Sequence, residues 1–287
     1  MNDKRLHSNK LEEKSSEFFS KGKIEWDKPE ADVWAELESS ITKKPAGKSI
    51  SFFPKMVKWS AAAVVAVLLG FSALTFLYSK TIVSQPGELV VAELPDGSTV
   101  EMNAGSTLKY YPLKWMYKRK LQFAGEGFFN VQKGKRFEAE SENGSTRVLG
   151  TSFNIYSRNN QYRVTCLTGK VEVVSKTNES VFLNPNNHVE IEDGKFVMKK
   201  ENKAENYVSW KNNQFFFAGR PLKEVFEEVE RQYGVTIQLP PKLYNRNFAS
   251  NFSKKYNVEE VLDFVCKSMQ IKYIKQSENV FLIVGES

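Results

Sequence analysis

The sequence predicts a single-span membrane protein with an outer all-β domain followed by a small α+β domain. Three observations predict it. Residues Trp59 to Ser79 form an uncharged run of 21 residues. From 80 to 200, apolar residues alternate with a period of two and turn dipeptides recur. From 208 to 287, strand and helix patterns take turns in the order β-α-β, β-α-β-β. The predicted divisions are an inner segment at 1–58, the span at 59–79, the β domain at 80–200 and the α+β domain at 208–287.

The inner segment opens with Met1 to Gly22, charged, poor in aliphatics and without steady periodicity, which reads as a flexible stretch. In KIEWDKPEADVWAELESSI, Asp27 and Glu30 resemble a capping box and Pro29 suits a first helical turn. Trp34, Leu37 and Ile41, flanked by Val33, recur at helical spacing and make one narrow apolar stripe. One short helix cannot bury such a stripe against itself. The stripe, with Trp26 beside it, therefore reads as a docking surface for a cytoplasmic partner, with Trp34 as the anchor; the alternative is a helix resting on the membrane surface. Pro45, Ala46, Gly47 and Ser49 read as a linker reaching the membrane.

At 1.5 Å per residue the uncharged run makes about 30 Å of helix, the thickness of a bilayer's hydrocarbon core. Ser60, Ser72 and Thr75 form no polar face, and the run lies too far into the chain for a signal peptide. Lys43, Lys44, Lys48, Lys55 and Lys58 precede it and only Lys80 follows closely, which places the N-terminus inside and the rest outside. Trp59 and Tyr78 fall at the two interfaces.

In the β region, Asp96-Gly97, Asn143-Gly144 and Asp193-Gly194 supply the positive-φ residues of tight hairpins, and Thr168-Gly169 reads the same way. Eight to ten short strands without a helix are expected, as a sandwich, barrel or β-solenoid. Four segments then carry a resemblance: ELPDGSTVEMNAGSTLKY (Glu93 to Tyr110), LQFAGEGFFNVQKG (Leu121 to Gly134), VLGTSFNIYS (Val148 to Ser157) and VTCLTGKVEVV (Val164 to Val174). In order and content they resemble the FecR family, single-span regulators of bacterial cell-surface signalling, typically anti-sigma factors. Gly150-Thr151-Ser152-Phe153-Asn154 is the sharpest piece. Asn186-Asn187 stands where a glycine turn is expected. The glycines at 97, 125, 127, 150 and 169 read as turn residues.

In the last segment, FFF (Phe215 to Phe217) reads as a strand and Pro221 opens a helix carrying Leu222, Val225, Phe226 and Val229 inward, ended by Gly234. Asn257 and Glu260 resemble a capping box for a second helix with Val258, Val261, Leu262, Val265 and Met269 inward. IKYI and NVFLIV close the chain as a strand pair. One small sheet with two helices on one face is expected. It resembles the C-terminal domain of Bacteroidetes-type FecR proteins, itself similar to the short N-terminal signalling module of secretins and TonB-dependent transducers.

The chain's 287 residues carry a net charge of +7, with 12 basic and 10 acidic residues before Trp59 and 29 and 24 after Ser79. Mean hydropathy of −0.45 makes the remainder water-soluble. No dense basic run is interleaved with aromatics, which argues against nucleic-acid binding. Cys166 and Cys266 fall in different domains and read as buried thiols. His7 and His188 lack metal-ligand spacing, and no nucleotide-binding, nucleophile-elbow or zinc motif is present, so neither catalysis nor a cofactor is expected. The resemblance implies an inner-membrane protein with an extracytoplasmic-function sigma factor as inner partner. Its outer partner would be the signalling domain of a TonB-dependent outer-membrane transporter. The alternative is an envelope adaptor for which the inner segment is only an anchor.

Overall fold

The computed structural model describes residues 27–42, 53–192, 194–200 and 203–285. Trp26, Met1 to Gly22 and the linker at 45–49 lie outside these residues. Helix α1 spans Glu30–Thr42. It begins three residues after Asp27, with the Pro29 carbonyl accepting from the amides of Asp32 and Val33, so the expected Asp27–Glu30 box is not what starts it. Helix α2 spans Phe53–Leu77, 25 residues. Its described side chains run from 59 to 72, about 21 Å of helix. Among the described residues no helix is long and apolar enough to cross a membrane.

The β domain has 13 strands: β1 (Lys80–Ser84), β2 (Val90–Glu93), β3 (Thr99–Met102), β4 (Ser106–Tyr110), β5 (Arg119–Asn130), β6 (Phe137–Ser141), β7 (Gly144–Val148), β8 (Ser152–Arg158), β9 (Gln161–Cys166), β10 (Val171–Ser175), β11 (Ser180–Leu183), β12 (Asn187–Glu192) and β13 (Lys195–Lys200). Strand β5 belongs to two leaves. Its first half pairs with β4 and β6 in a leaf ordered β1-β4-β5-β6-β7-β10-β11. Its second half pairs with β3 and β8 in a leaf ordered β2-β3-β5-β8-β9-β12-β13. The change of leaf falls at Gly125. There φ is +118°, and a Cβ would come within 2.3 Å of Ser106 Oγ, so only glycine turns this corner. The sequence reading put Gly125 and Gly127 in turns; both lie inside β5.

The leaves enclose one core. Phe129 stacks on Phe153 at 5.1 Å, meets Phe123 edge-on at 5.1 Å and faces Phe137 of the other leaf at 6.3 Å. Across the core the Tyr162 hydroxyl bonds Thr146 at 2.7 Å. A short helix, α3 (Pro112–Trp115), lays Trp115 edge-on to Tyr110 and Phe137. This is a two-leaf sandwich; the pairing jumps along the chain as no solenoid does. Thirteen strands replace the expected eight to ten because several, such as GSTRV and SVFL, are too short and polar to show alternation. The expected hairpins at Gly97 and Gly144 form, and β12 pairs with β13 across Gly194. Thr168-Gly169 is not a hairpin, because β9 and β10 lie in different leaves. Asn186 takes φ +66°, doing the work of the missing glycine.

A nine-residue 3-10 segment, Ala204–Asn212, leads on, and nothing in the sequence pattern announced it. Strand β14 (Gln214–Pro221), α4 (Leu222–Tyr233), β15 (Thr236–Gln238), β16 (Asn247–Ser253), α5 (Val258–Met269), β17 (Lys272–Ser277) and β18 (Val280–Val284) follow. The element order is the one expected, but the strands form two sheets, β14-β16 and β15-β18-β17. A register shift between Phe217 and Arg220 interrupts β14 where it pairs with β16. Leu222, Val225, Phe226 and Val229 of α4 and Val261, Leu262, Val265 and Met269 of α5 are buried in a common core with Phe215, Phe217, Phe248 and Phe252. Gly234 ends α4 in the left-handed region. Asn257 and Glu260 form both arms of the capping box, each at 2.9 Å.

Candidate functional site

Two surfaces can do work here: the stripe on α1, and a polar seam where the β domain and the C-terminal domain meet. On α1 no residue is buried. Trp34 is 64%, Leu37 49% and Ile41 71% exposed, and Val33 is half-buried. At 100° per residue these four fall within an arc of about 100°, the width of a face that expects a partner. Trp26, assigned to the same surface from sequence, lies outside the described residues.

The seam was missed in the sequence. Helix α4 looks solvated on its polar side, with Glu224, Glu227, Glu228, Arg231 and Gln232 recurring at helical spacing. That side instead bonds β9, the β8–β9 turn and the β3–β4 connection, while Arg220 of β14, just before the helix, reaches β12. Alternation assigns Val189 and Ile191 of β12 inward and His188 and Glu190 outward; the structure buries the outward pair as well. Glu190 accepts a two-pronged bond from Arg220, at 3.0 and 2.7 Å. Its other close partner is His188 Nε2 at 3.0 Å. Burial works against charge on Glu190, but the bonds from His188 and Arg220 and the positive field of Arg220 and Arg163 overcome it and hold the carboxyl far below the usual range. Burial pushes His188 below its usual value, more than Glu190 raises it. An ionised carboxylate only accepts, so the neutral imidazole carries its proton on Nε2, and Nδ1 accepts from the Thr165 hydroxyl at 2.7 Å. Tyr207 stacks on the ring at 4.3 Å.

Along the helix, Glu224 accepts from Gln161 at 2.6 Å and Arg163 at 3.1 Å, and Glu227 from Asn159 at 2.6 Å. Arg163 lies 3.8 Å over the Tyr156 ring. At the helix end, Asn103 donates to Glu126 at 2.8 Å and to Glu228 at 3.3 Å and accepts from Gln232 at 2.7 Å. Burial, then the charge of Glu228, raises Glu126, against the pull of Arg158, Asn103 and Asn154. Glu228, despite burial, is held low by Arg231, Arg158 and Gln232. The two buried carboxylates are thus pushed in opposite directions, Glu126 up and Glu228 down. A cavity of about 100 Å³ sits within it, lined by His188, Tyr207, Trp210, Arg163, Arg220 and the Phe215–Phe217 strand among others. Among the described residues no group of three His, Cys, Asp or Glu side chains could hold a metal ion. Cys166 and Cys266 are buried free thiols.

Residues 80–172 match the family model described as FecR protein, and residues 214–283 the model described as FecR, C-terminal. Two crystal structures of a candidate anti-sigma factor from Parabacteroides distasonis ATCC 8503 are similar. One, at 2.50 Å resolution, has a TM-score of 0.68 and 27% identity over 73% of this chain and 100% of that one. The other, at 1.65 Å, has a TM-score of 0.67 and 27% identity over 72% and 100%. No curated protein matches the chain. With both family domains present, in this order and joined by the seam, the chain belongs to the FecR family.

Proposed function

We propose that this chain is a transmembrane anti-sigma regulator of cell-surface signalling. The observation that carries the reading is the pairing of the two FecR domains with structural neighbours that are candidate anti-sigma factors. In this reading α2 crosses the inner membrane once, with α1 in the cytoplasm and the two outer domains in the periplasm. The α1 stripe holds an extracytoplasmic-function sigma factor, and the outer domains respond to the signalling domain of a TonB-dependent outer-membrane transporter. The work is done by binding, with no catalytic step and no cofactor.

Support on the inner side is physical. Burying three large apolar side chains against a partner contributes about 1.5–3 kcal/mol each, and a folded helix of 13 residues is already in place to present them. For a signal to cross, the outer partner must favour one state of the regulator over another.

The test is a pull-down with the full chain in detergent against a lysate, read by mass spectrometry for sigma factors, with Trp34→Ala/Leu37→Ala as the control. Recovery of a sigma factor by the unaltered chain and its loss in the variant supports the reading. No sigma factor in either, with transcription of any neighbouring transport operon unmoved by the variant, would leave an envelope adaptor as the better account. A sigma-dependent reporter then shows whether the regulator restrains or promotes.

A further inference from the structure

The geometry points to a second membrane contact: the end of the first leaf nearest α2 docks on the outer surface of the bilayer, against anionic lipid headgroups. This rests on the reading of α2 as a membrane span.

Only Tyr78 and Ser79 separate the end of α2 from β1, so the start of β1 lies within about 10 Å of the helix end. Lys80 pairs with Tyr110, the last residue of β4, and Tyr110 pairs with Leu121 near the start of β5. The β4–β5 connection, with α3 and Met116–Tyr117, is therefore at the helix end of the sandwich. Arg119 pairs with Phe137, Phe137 with Val148 and Arg147 with Glu172. These pairings bring the β5–β6, β7–β8 and β9–β10 connections to the same end.

Those four connections (residues 111–118, 131–136, 149–151 and 167–170) contain Lys114, Lys118, Lys133, Lys135, Arg136 and Lys170 and no acidic residue. Asp96 nearby is engaged by Arg119 at 2.6 Å and Glu138 by Lys120 and Arg147, while Glu93 is exposed. The large side chains here face outward. Met116 is 82% and Tyr117 87% exposed, and Leu113, Leu149 and Phe182 are exposed too. Apolar and aromatic tips ringed by lysine and arginine suit the headgroup layer, where amphipathic rings sit and cations meet anionic lipid. At the opposite end, connections carry Glu88, Glu142 and Glu179 beside Lys176.

The full chain, reconstituted into vesicles of phosphatidylcholine with or without phosphatidylglycerol, tests this. An environment-sensitive fluorophore is placed at Met116→Cys or, at the far end, at Glu179→Cys. The buried native thiols stay unlabelled. With phosphatidylglycerol, spin-labelled lipid is expected to quench position 116 and spare 179. Each of Lys118→Ala and Lys135→Ala should lower the docked-to-undocked ratio about fivefold. A chain that floats with the vesicles but is quenched no better at 116 than at 179 overturns the docking alone. Quenching at 116 equal on neutral and anionic vesicles overturns the headgroup contact. Loss of flotation in alkaline carbonate overturns the span reading, and the docking with it.

Discussion

Replacing Arg220 by alanine leaves Glu190 with half its support. Arg220 gives that buried carboxylate two bonds, at 3.0 and 2.7 Å. Removing one partner of a buried ion pair costs about 3–5 kcal/mol. The full figure does not apply, because the Arg220 side chain keeps 17% of its exposure and Lys199 stands 3.6 Å from the same carboxylate. A loss of about 2–3 kcal/mol follows, or about 5–10 °C in Tm for a unit of this size. A second consequence separates this mechanism from general damage. The positive charge of Arg220 helps hold His188 below its usual value, so without it the imidazole should titrate higher, toward 6.5. Thermal unfolding by circular dichroism and the His188 signals in an NMR pH series of the full chain in micelles are the two readouts. An unchanged Tm with an unmoved His188 titration would refute the argument that the Glu190–Arg220 fork holds the seam.

Gly125→Ala should be severely destabilising, by about 3 kcal/mol or more, since φ is +118° and the added Cβ meets Ser106 at 2.3 Å; a Ser106→Gly second change should recover part of the Tm. Acidification should weaken the seam in two steps. His188 is neutral in the fold, so its contribution falls as pH drops below about 6.5, and that of the depressed Glu190 falls as pH drops below about 4.5. Glu126 has the opposite sign: its raised value makes its contribution complete below about 4.5 and lost as pH rises through the folded value. Glu126→Gln should therefore stabilise the protein at pH 8 more than at pH 4 in paired denaturant titrations. Burial pushes Cys166 up to about 11 and Cys266 up to about 12, so a thiol reagent at pH 7.5 should label neither in the native state and both after unfolding.

The elements that local chemistry specifies were readable. The Asn257–Glu260 cap, the Gly234 stop, the apolar faces of α4 and α5 and the hairpins at Gly97 and Gly144 depend on residues a few positions apart, and each formed as expected. What was not readable depends on partners distant in sequence. Gly125 looks like any turn glycine until β5 is seen to serve two leaves. Thr168-Gly169 has hairpin chemistry, but Gly169 instead lets the chain pass Thr151, whose methyl a Cβ would meet at 2.6 Å. The polar side of α4 is the hardest case. Glu224, Glu227 and Glu228 are what a solvated helix face would carry, and only Gln161, Arg163, Asn159 and Asn103, more than sixty residues earlier, make them an interface. Helix α1 was legible because Val33, Trp34, Leu37 and Ile41 recur at helical spacing within one short segment.

The position of β1 has a mechanical consequence. The chain leaves α2 and enters β1 at once, and β1 is held to β4 through five register pairs from Lys80 to Ser84. Three residues beyond its far end, the Gly87 amide bonds the Arg231 carbonyl at the end of α4 at 2.8 Å. Tension applied between the C-terminal domain and the helix end therefore runs lengthwise along β1. It loads all five pairs together in shear, where a pull across the strand would open them one at a time. The β1–β4 pairing can thus carry a tug between the C-terminal domain and the end of α2 before the strand gives way.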